Sequence, residues 1–277
     1  MAKKFRRYLT GLLAVVFVGS CALTARQVYA DAQARAAVEP AQTLAVQAEQ
    51  PLPLVEIEPE EPAVPLAAEP VEESILPEVL SEEAAFLLDV DLKALRQVSG
   101  DVLGWICIPD TPVNYPLLAL DNNQDGLTRT WDGQYSSAGS IFLECKNKRD
   151  LGDFNTLIYG HYMKNGTMFG SLKYYADADY LSAHPYIYLV TDESVHRYAV
   201  FSSYEAGVVS DTYRLYFEDD ARRQSSLDHY VGSAVVDTGI VPEVEDHILT
   251  LSTCMGNGTY ETRWVVQAVL DHTFPRA

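Results

Sequence analysis

From Leu103 to Leu270 the sequence is cut into short runs of β-branched and aromatic residues, most of them ended by turn-forming residues before they reach the length of an ordinary helix. The runs are Leu103 to Ile108, Val113 to Leu118, Ser140 to Glu144, Asn155 to Tyr159, Tyr186 to Val190, Arg197 to Tyr204, His247 to Thr253 and Arg263 to Leu270. Between the early runs stand Pro109-Asp110, Asp121-Asn122-Asn123 and Lys146-Asn147-Lys148-Arg149-Asp150, turns of the kind that join antiparallel strands. Many short strands present edges that must be hidden, and closing the sheet on itself removes them. The expectation is a mainly β domain built as a closed barrel. Two short N-terminal helices capped by Ser81 and Asp91 precede it, Met168 to Tyr175 forms a short helix or turn, and a charged helix over Glu218 to Val231 comes before the last strands.

Two of these runs deliver reactive side chains at their ends. His247-Ile248-Leu249-Thr250-Leu251-Ser252-Thr253 leads into Cys254, and the next run starts at Arg263. A thiol becomes a competent nucleophile as a thiolate, and a nearby cation or imidazole is the usual means of making it one. Arginine is a permanent cation, and its guanidinium is suited to an oxyanion formed during acyl transfer. The same residues also fit a plainer arrangement, a buried core cysteine and a surface arginine. Asn155-Thr156-Leu157-Ile158-Tyr159-Gly160 likewise reads as a strand delivering one polar residue, His161, at its end. The other histidines, His184, His196, His229, His247 and His272, fall at turns, at strand ends or in the charged helix and read as structural.

The stretch Thr156-Leu157-Ile158-Tyr159-Gly160-His161, continued by Met163-Lys164-Asn165-Gly166-Thr167-Met168-Phe169-Gly170-Ser171-Leu172, together with Thr250-Leu251-Ser252-Thr253-Cys254 and Arg263, resembles the sortases, and more closely their class B. The resemblance extends to Asp101-Val102-Leu103-Gly104-Trp105-Ile106 and to Tyr135 through Leu143, so it spans residues 91–270. It implies a closed sortase-type β-barrel and a cysteine transpeptidase of Gram-positive cell surfaces. Such an enzyme cleaves the C-terminal sorting motif of a surface protein after threonine through a thioacyl intermediate, then transfers the acyl group to an amine of the cell wall precursor. Some members instead polymerise pilins. By the resemblance Cys254 is the nucleophile, His161 the acid and base and Arg263 the oxyanion cation. Ser252 and Thr253 are candidate substrate contacts by position, although a hydroxyl at a strand edge is more often structural. Thr262 and Met255-Gly256-Asn257-Gly258 depart from the family pattern in the pocket, not in the triad.

Composition fits an exported, anchored enzyme. The formal net charge is −19, and between Asp31 and Asp89 fourteen acids face the single base Arg35. Nucleic acid is not expected as a partner, because phosphate binding needs a basic patch. Lys3, Lys4, Arg6 and Arg7 precede an uncharged, mostly apolar run from Tyr8 to Ala25. That run reads as a single-pass anchor with the remainder outside, against two rivals: a signal peptide cut after Val28-Tyr29-Ala30, or a lipoprotein signal at Cys21. Residues 1–30 are thus the anchor or signal segment. Residues 31–80, rich in Ala, Pro and Glu, read as a disordered tether, and residues 81–277 as the catalytic domain. The four cysteines show no paired spacing; Cys107 reads as core, and a Cys107–Cys145 disulfide is the one pairing left open.

An L,D-transpeptidase would carry His-Gly-Cys, which is absent here, and a non-enzymatic wall-binding module on a stalk would have no use for the cysteine. No ligand cluster for a metal and no cofactor motif is visible. Chelation with EDTA is accordingly expected to leave the transfer rate unchanged, and a large loss of rate on dialysis against it would show that a metal takes part.

Overall fold

The computed structural model describes residues 28, 29, 32, 36, 39–45, 80–253 and 261–276. Eight strands run in the order β1 (Val102–Cys107), β2 (Asn114–Ala119), β3 (Ile141–Leu143), β4 (Asn155–Gly160), β5 (Tyr186–Val190), β6 (Ser194–Gly207), β7 (Ile248–Thr253) and β8 (Thr262–Pro275). They close into a barrel in the spatial order β1-β2-β3-β4-β7-β8-β6-β5, with β5 pairing back onto β1. Each run in the sequence becomes one strand, and β6 and β8 extend beyond the expected runs to form the longest antiparallel pair.

Side-chain alternation sorts each strand between two cores. On β7, Leu249 and Leu251 point into the barrel with Ile158, Val266 and Ala268. Ile248 points outward and packs with Phe201, Leu227, Tyr230 and Val269 under the long helix Asp220–Ser233. Both faces are covered, which is why the whole of β7 is buried. On the far side the 3₁₀ helix Glu82–Asp89 and the helix Leu92–Val98 lay Ala84, Leu87, Leu92 and Leu95 against Trp105, Cys107, Leu118 and Phe142.

Three expectations need correction. The Asp121-Asn122-Asn123 turn does not join antiparallel strands: β3 runs parallel to β2, because residues 120–140 form a short helix and a loop that carry the chain back before β3 begins. Ser81 makes no side-chain cap, whereas Asp91 does cap its helix through Ala94 N at 2.9 Å. Within the expected tether, residues 39–45 are helical and lie on the domain. Ala41 and Ala45, four apart and so on one helix face, are fully buried beside Trp105 and Leu118. Gln42 Nε2 donates to Asn114 O at 2.9 Å, and Asp91 N donates to Ala45 O at 3.2 Å. Small alanines let a helix approach a flat surface, and this local fit outweighs the Pro-rich composition around it. The expected apolar anchor, Tyr8 to Ala25, lies outside the described residues; among those described, no helix is long and apolar enough to cross a membrane.

A chain truncated to begin at Leu80 should still fold, because the barrel closes without the 39–45 helix. Losing two buried methyl groups and the partner of Asp91 N should lower stability by about 1–3 kcal/mol. Urea unfolding midpoints of the two chains measure this, and equal midpoints would show that the helix contributes nothing.

Candidate active site

The site is built where β4 and β7 end together. They pair in parallel over six residues, from Asn155 with Ile248 to Gly160 with Thr253. The last pair stands one residue before His161 on one chain segment and one before Cys254 on the other. Cys254 itself lies outside the described residues. On the other side β7 pairs antiparallel with β8, ending at Ser252 with Val265. Thr253 Oγ1 extends that ladder by accepting from Trp264 N at 3.0 Å, and Arg263 follows next along β8. Parallel and antiparallel neighbours lie about 4.8 Å apart, so the ends of three adjacent strands share one small region.

His161 is half-buried and held by its surroundings. Its Nε2 lies 2.7 Å from Leu127 O. A carbonyl only accepts, so Nε2 carries the hydrogen and Nδ1 of the neutral ring carries the free lone pair. Burial pulls the pKa below the ordinary 6.5, and the bond to Leu127 opposes that pull. Leu127 is in turn fixed at the end of the helix Asn123–Gly126, whose Asn123 side chain donates to Glu144 Oε2 at 2.7 Å and accepts from Cys145 N at 2.9 Å. The loop after His161 folds back on it, with Phe169 N donating to His161 O at 3.0 Å. Gly160 is required here: a Cβ would meet Ile141 Cδ1 at 2.4 Å and the Phe169 ring at 2.8 Å.

Arg263 is half-buried, and its Nη1 donates a long 3.5 Å bond to Thr262 O; among the described residues no carboxylate pairs with it. Among the described residues it has no neighbour of the kind that holds Arg197 with Asp271 or Arg96 with Asp192. Ser252 and Thr253 are both fully buried. Ser252 Oγ lies 3.1 Å from Tyr213 Oη, and Thr253 Oγ1 is engaged by the backbone of Trp264. In this arrangement both hydroxyls are engaged by neighbouring groups of the fold.

The two described cysteines, Cys107 and Cys145, both have raised thiol pKa values. Cys107 is buried in the outer core, where burial and the charge of Asp110 push its thiol up to about 12. Cys145 is exposed and its pKa is also raised, by partial desolvation and by the adjacent Glu144 carboxylate. Both are free thiols, so the pairing left open between Cys107 and Cys145 is not formed. Of the histidines read as structural, His184 Nδ1 lies 3.1 Å from Pro109 O and His247 Nδ1 lies 3.2 Å from Asp153 O. Among the described residues no group of three metal-ligating side chains comes together.

The segment between β6 and β7 forms an open groove of about 650 Å³, lined by Lys146, Val209, Asp211, Tyr213, Arg214 and Tyr216 among others. Val209 and Tyr216 are largely exposed. Sequence reading passed over this segment and over the Leu127 carbonyl. A backbone acceptor leaves no mark in a sequence, and residues 208–216 show no period.

Comparisons with known proteins agree with this geometry. The family model described as the sortase domain matches residues 106–271. The chain is 33% identical over 185 residues to sortase B of Listeria monocytogenes, covering 65% of this chain and 74% of that protein. It is 30% identical over 174 residues to sortase B of Staphylococcus aureus, covering 63% and 71%. Among solved structures, a Staphylococcus aureus sortase B–substrate complex superposes with a TM-score of 0.62 at 29% identity, over 67% of this chain and 85% of that one. Sortase B complexed with triglycine gives 0.62 at 29%, over 67% and 86%. A Bacillus anthracis protein similar to sortase B gives 0.59 at 34%, over 67% and 83%.

The lowered pKa of His161 has a definite sign. Folded, the ring binds a proton less readily than when unfolded, so the stability that depends on neutral His161 is present above pH 6.5 and is lost as pH falls below it. An NMR titration of the His161 ring should give a midpoint below 6.5 and, above it, the tautomer with hydrogen on Nε2. A midpoint above 6.5 would contradict the burial argument.

Proposed function

Because the chain belongs to the sortase family, in its class B, we propose that it is an extracytoplasmic cysteine transpeptidase whose triad is Cys254, His161 and Arg263. The observation that carries the reading is the register of three adjacent strands. The parallel ladder ends at Gly160 with Thr253, the residues that immediately precede His161 and Cys254 in the sequence, and the antiparallel one ends at Ser252 with Val265, two residues after Arg263.

In this reading the Cys254 thiolate attacks the threonyl carbonyl of a sorting motif, and the developing oxyanion is held by the guanidinium of Arg263. His161 takes the proton of the Cys254 thiol at Nδ1, the nitrogen left free by the Leu127 bond, as the thiolate forms, and passes that proton to the leaving amine. The C–N bond breaks and a thioester to Cys254 remains. An incoming amine, that of a cell wall precursor, then gives a proton to His161 and takes the acyl group, releasing the thiolate. The relative solved with its substrate supports a peptide acyl donor, and the relative solved with triglycine supports an amine-bearing peptide as acceptor. Residues 1–30 hold the enzyme in the membrane with residues 81–277 outside it as the catalytic domain. Ser252 and Thr253 serve by fixing the strand that presents the cysteine.

Intact mass of the protein mixed with a sorting-motif peptide, without amine, tests the scheme. Wild type should gain the acyl mass and Cys254→Ala should not. An adduct that survives in Cys254→Ala would overturn the assignment. Arg263→Ala should slow turnover by roughly 10²–10³, as for loss of one oxyanion donor. Arg263→Lys should recover only part of that rate, since a point ammonium does not copy a planar fork.

A further inference from the structure

The strongest feature outside the triad is a buried amide at the opposite end of β4 from His161. Asn155, the first residue of β4, has no exposed surface. It pairs with Ile248 in the parallel ladder, and its side chain stands on the outer face of the sheet, toward the segment between β6 and β7. Its Oδ1 accepts from Thr250 Oγ1 at 2.7 Å, and Thr250 Oγ1 in turn accepts from Gln267 Nε2 at 3.1 Å. Neighbouring positions on β4, β7 and β8 thus aim the amide outward in one orientation. Its Nδ2 donates to Thr212 O at 3.2 Å and to Arg214 O at 3.0 Å. These are the two carbonyls that flank Tyr213.

We infer that Asn155 is a positioning residue that clamps the turn Asp211–Tyr213 onto the sheet, and with it the groove wall between Val209 and Tyr216 that borders the strand end leading to Cys254. The inference rests on the proposed acyl transfer for its consequence, not for its geometry. Tyr213, held between the two clamped carbonyls, places its hydroxyl 3.1 Å from Ser252 Oγ. The turn is also attached to the long helix, through Asp211 with Arg222 and Ser226, and to β6, through Thr212 Oγ1 and Tyr204 Oη 2.9 Å apart. Asp211 thus ties the turn to a surface helix, while Asn155 ties it through a side-chain amide to the two strands that end at the site. An amide is suited to the position because it accepts and donates at once; a carboxylate of the same shape keeps the bond from Thr250 and turns two donors into a negative charge facing two carbonyl oxygens.

Asn155→Asp in the full chain tests this with two readouts. Hydrogen exchange should accelerate for the amides of residues 211–216 and stay unchanged in β7 and β8. With a sorting peptide that wild type turns over, KM for the donor should rise about tenfold while kcat and the rate of Cys254 alkylation by a small reagent stay within about twofold, as for lost hydrogen bonds that act on binding alone. A variant that is merely less well folded would instead lose kcat at constant KM. If Asn155→Asp fails to fold, Thr250→Val removes only the bond that aims the amide and should show the same pattern, smaller. Unchanged exchange in 211–216, or a fall in kcat with KM unchanged, overturns the inference. Absence of any turnover in wild type overturns the proposed function and leaves the exchange measurement to decide the clamp.

Discussion

The parallel pairing of β4 with β7 is the constraint that the other elements serve. Parallel neighbours cannot be joined by a tight turn, so the chain must leave the end of β4, cross the molecule and return to start β7 beside the start of β4. Everything between His161 and His247 is that crossover: β5, the first half of the long β6–β8 pair, and the outer helix Asp220–Ser233. The detour has a use. Two strands that start together also end together, and their C-terminal ends bring two distant stretches of sequence to one place.

Both faces of this pair are buried, and the two faces are built differently. Inside, Ile158, Leu249 and Leu251 join a mainly apolar core, in which the hydroxyls of Tyr115 and Tyr175 are bonded to backbone groups. Outside, Asn155, Thr250, Ser252 and Gln267 are all fully buried polar residues under the segment that links β6 to β7. A polar group taken from water without a partner costs roughly 1–3 kcal/mol. That penalty enforces the observed partnerships: Thr250 with Asn155 and Gln267, Ser252 with Tyr213, Ser202 with Tyr230 O. An apolar layer in the same place would tolerate sliding. A layer of directional bonds fixes how the crossover segment sits over the strand ends.

The histidine is controlled by the same kind of constraint. Its ring is desolvated enough to favour the neutral form, and one backbone carbonyl settles which nitrogen bears the hydrogen. That carbonyl belongs to the connection between β2 and β3, the part of the barrel whose topology departs from a simple hairpin. The short helix Asn123–Gly126 exists there because β3 must enter parallel to β2, and its end is where Leu127 meets His161. A deviation in topology and a feature of the site are one piece of structure.

Much of this was legible in the sequence. Alternation located every strand, because period-2 burial is a local property that β-branched runs carry in themselves. His161, Cys254 and Arg263 were singled out by the resemblance to the sortase pattern, because on the residues alone Cys254 and Arg263 fit a buried core cysteine and a surface arginine as well. Which strands are neighbours, and in which direction, was not legible. Asp121-Asn122-Asn123 has the composition of a hairpin turn and instead opens a helix that reverses β3, since turn residues report local bending and not the partner of the next strand. Ala41 and Ala45 sit in a Pro-rich, acidic stretch whose composition reads as coil, and only the surface offered by Trp105 and Leu118 makes their burial favourable. Asn155, the Leu127 carbonyl and Tyr213 acquire their roles wholly from tertiary contact. Sequence determines what a segment is able to form by itself; pairing and polar satisfaction depend on groups brought together from far along the chain, and those were decided only when the barrel closed.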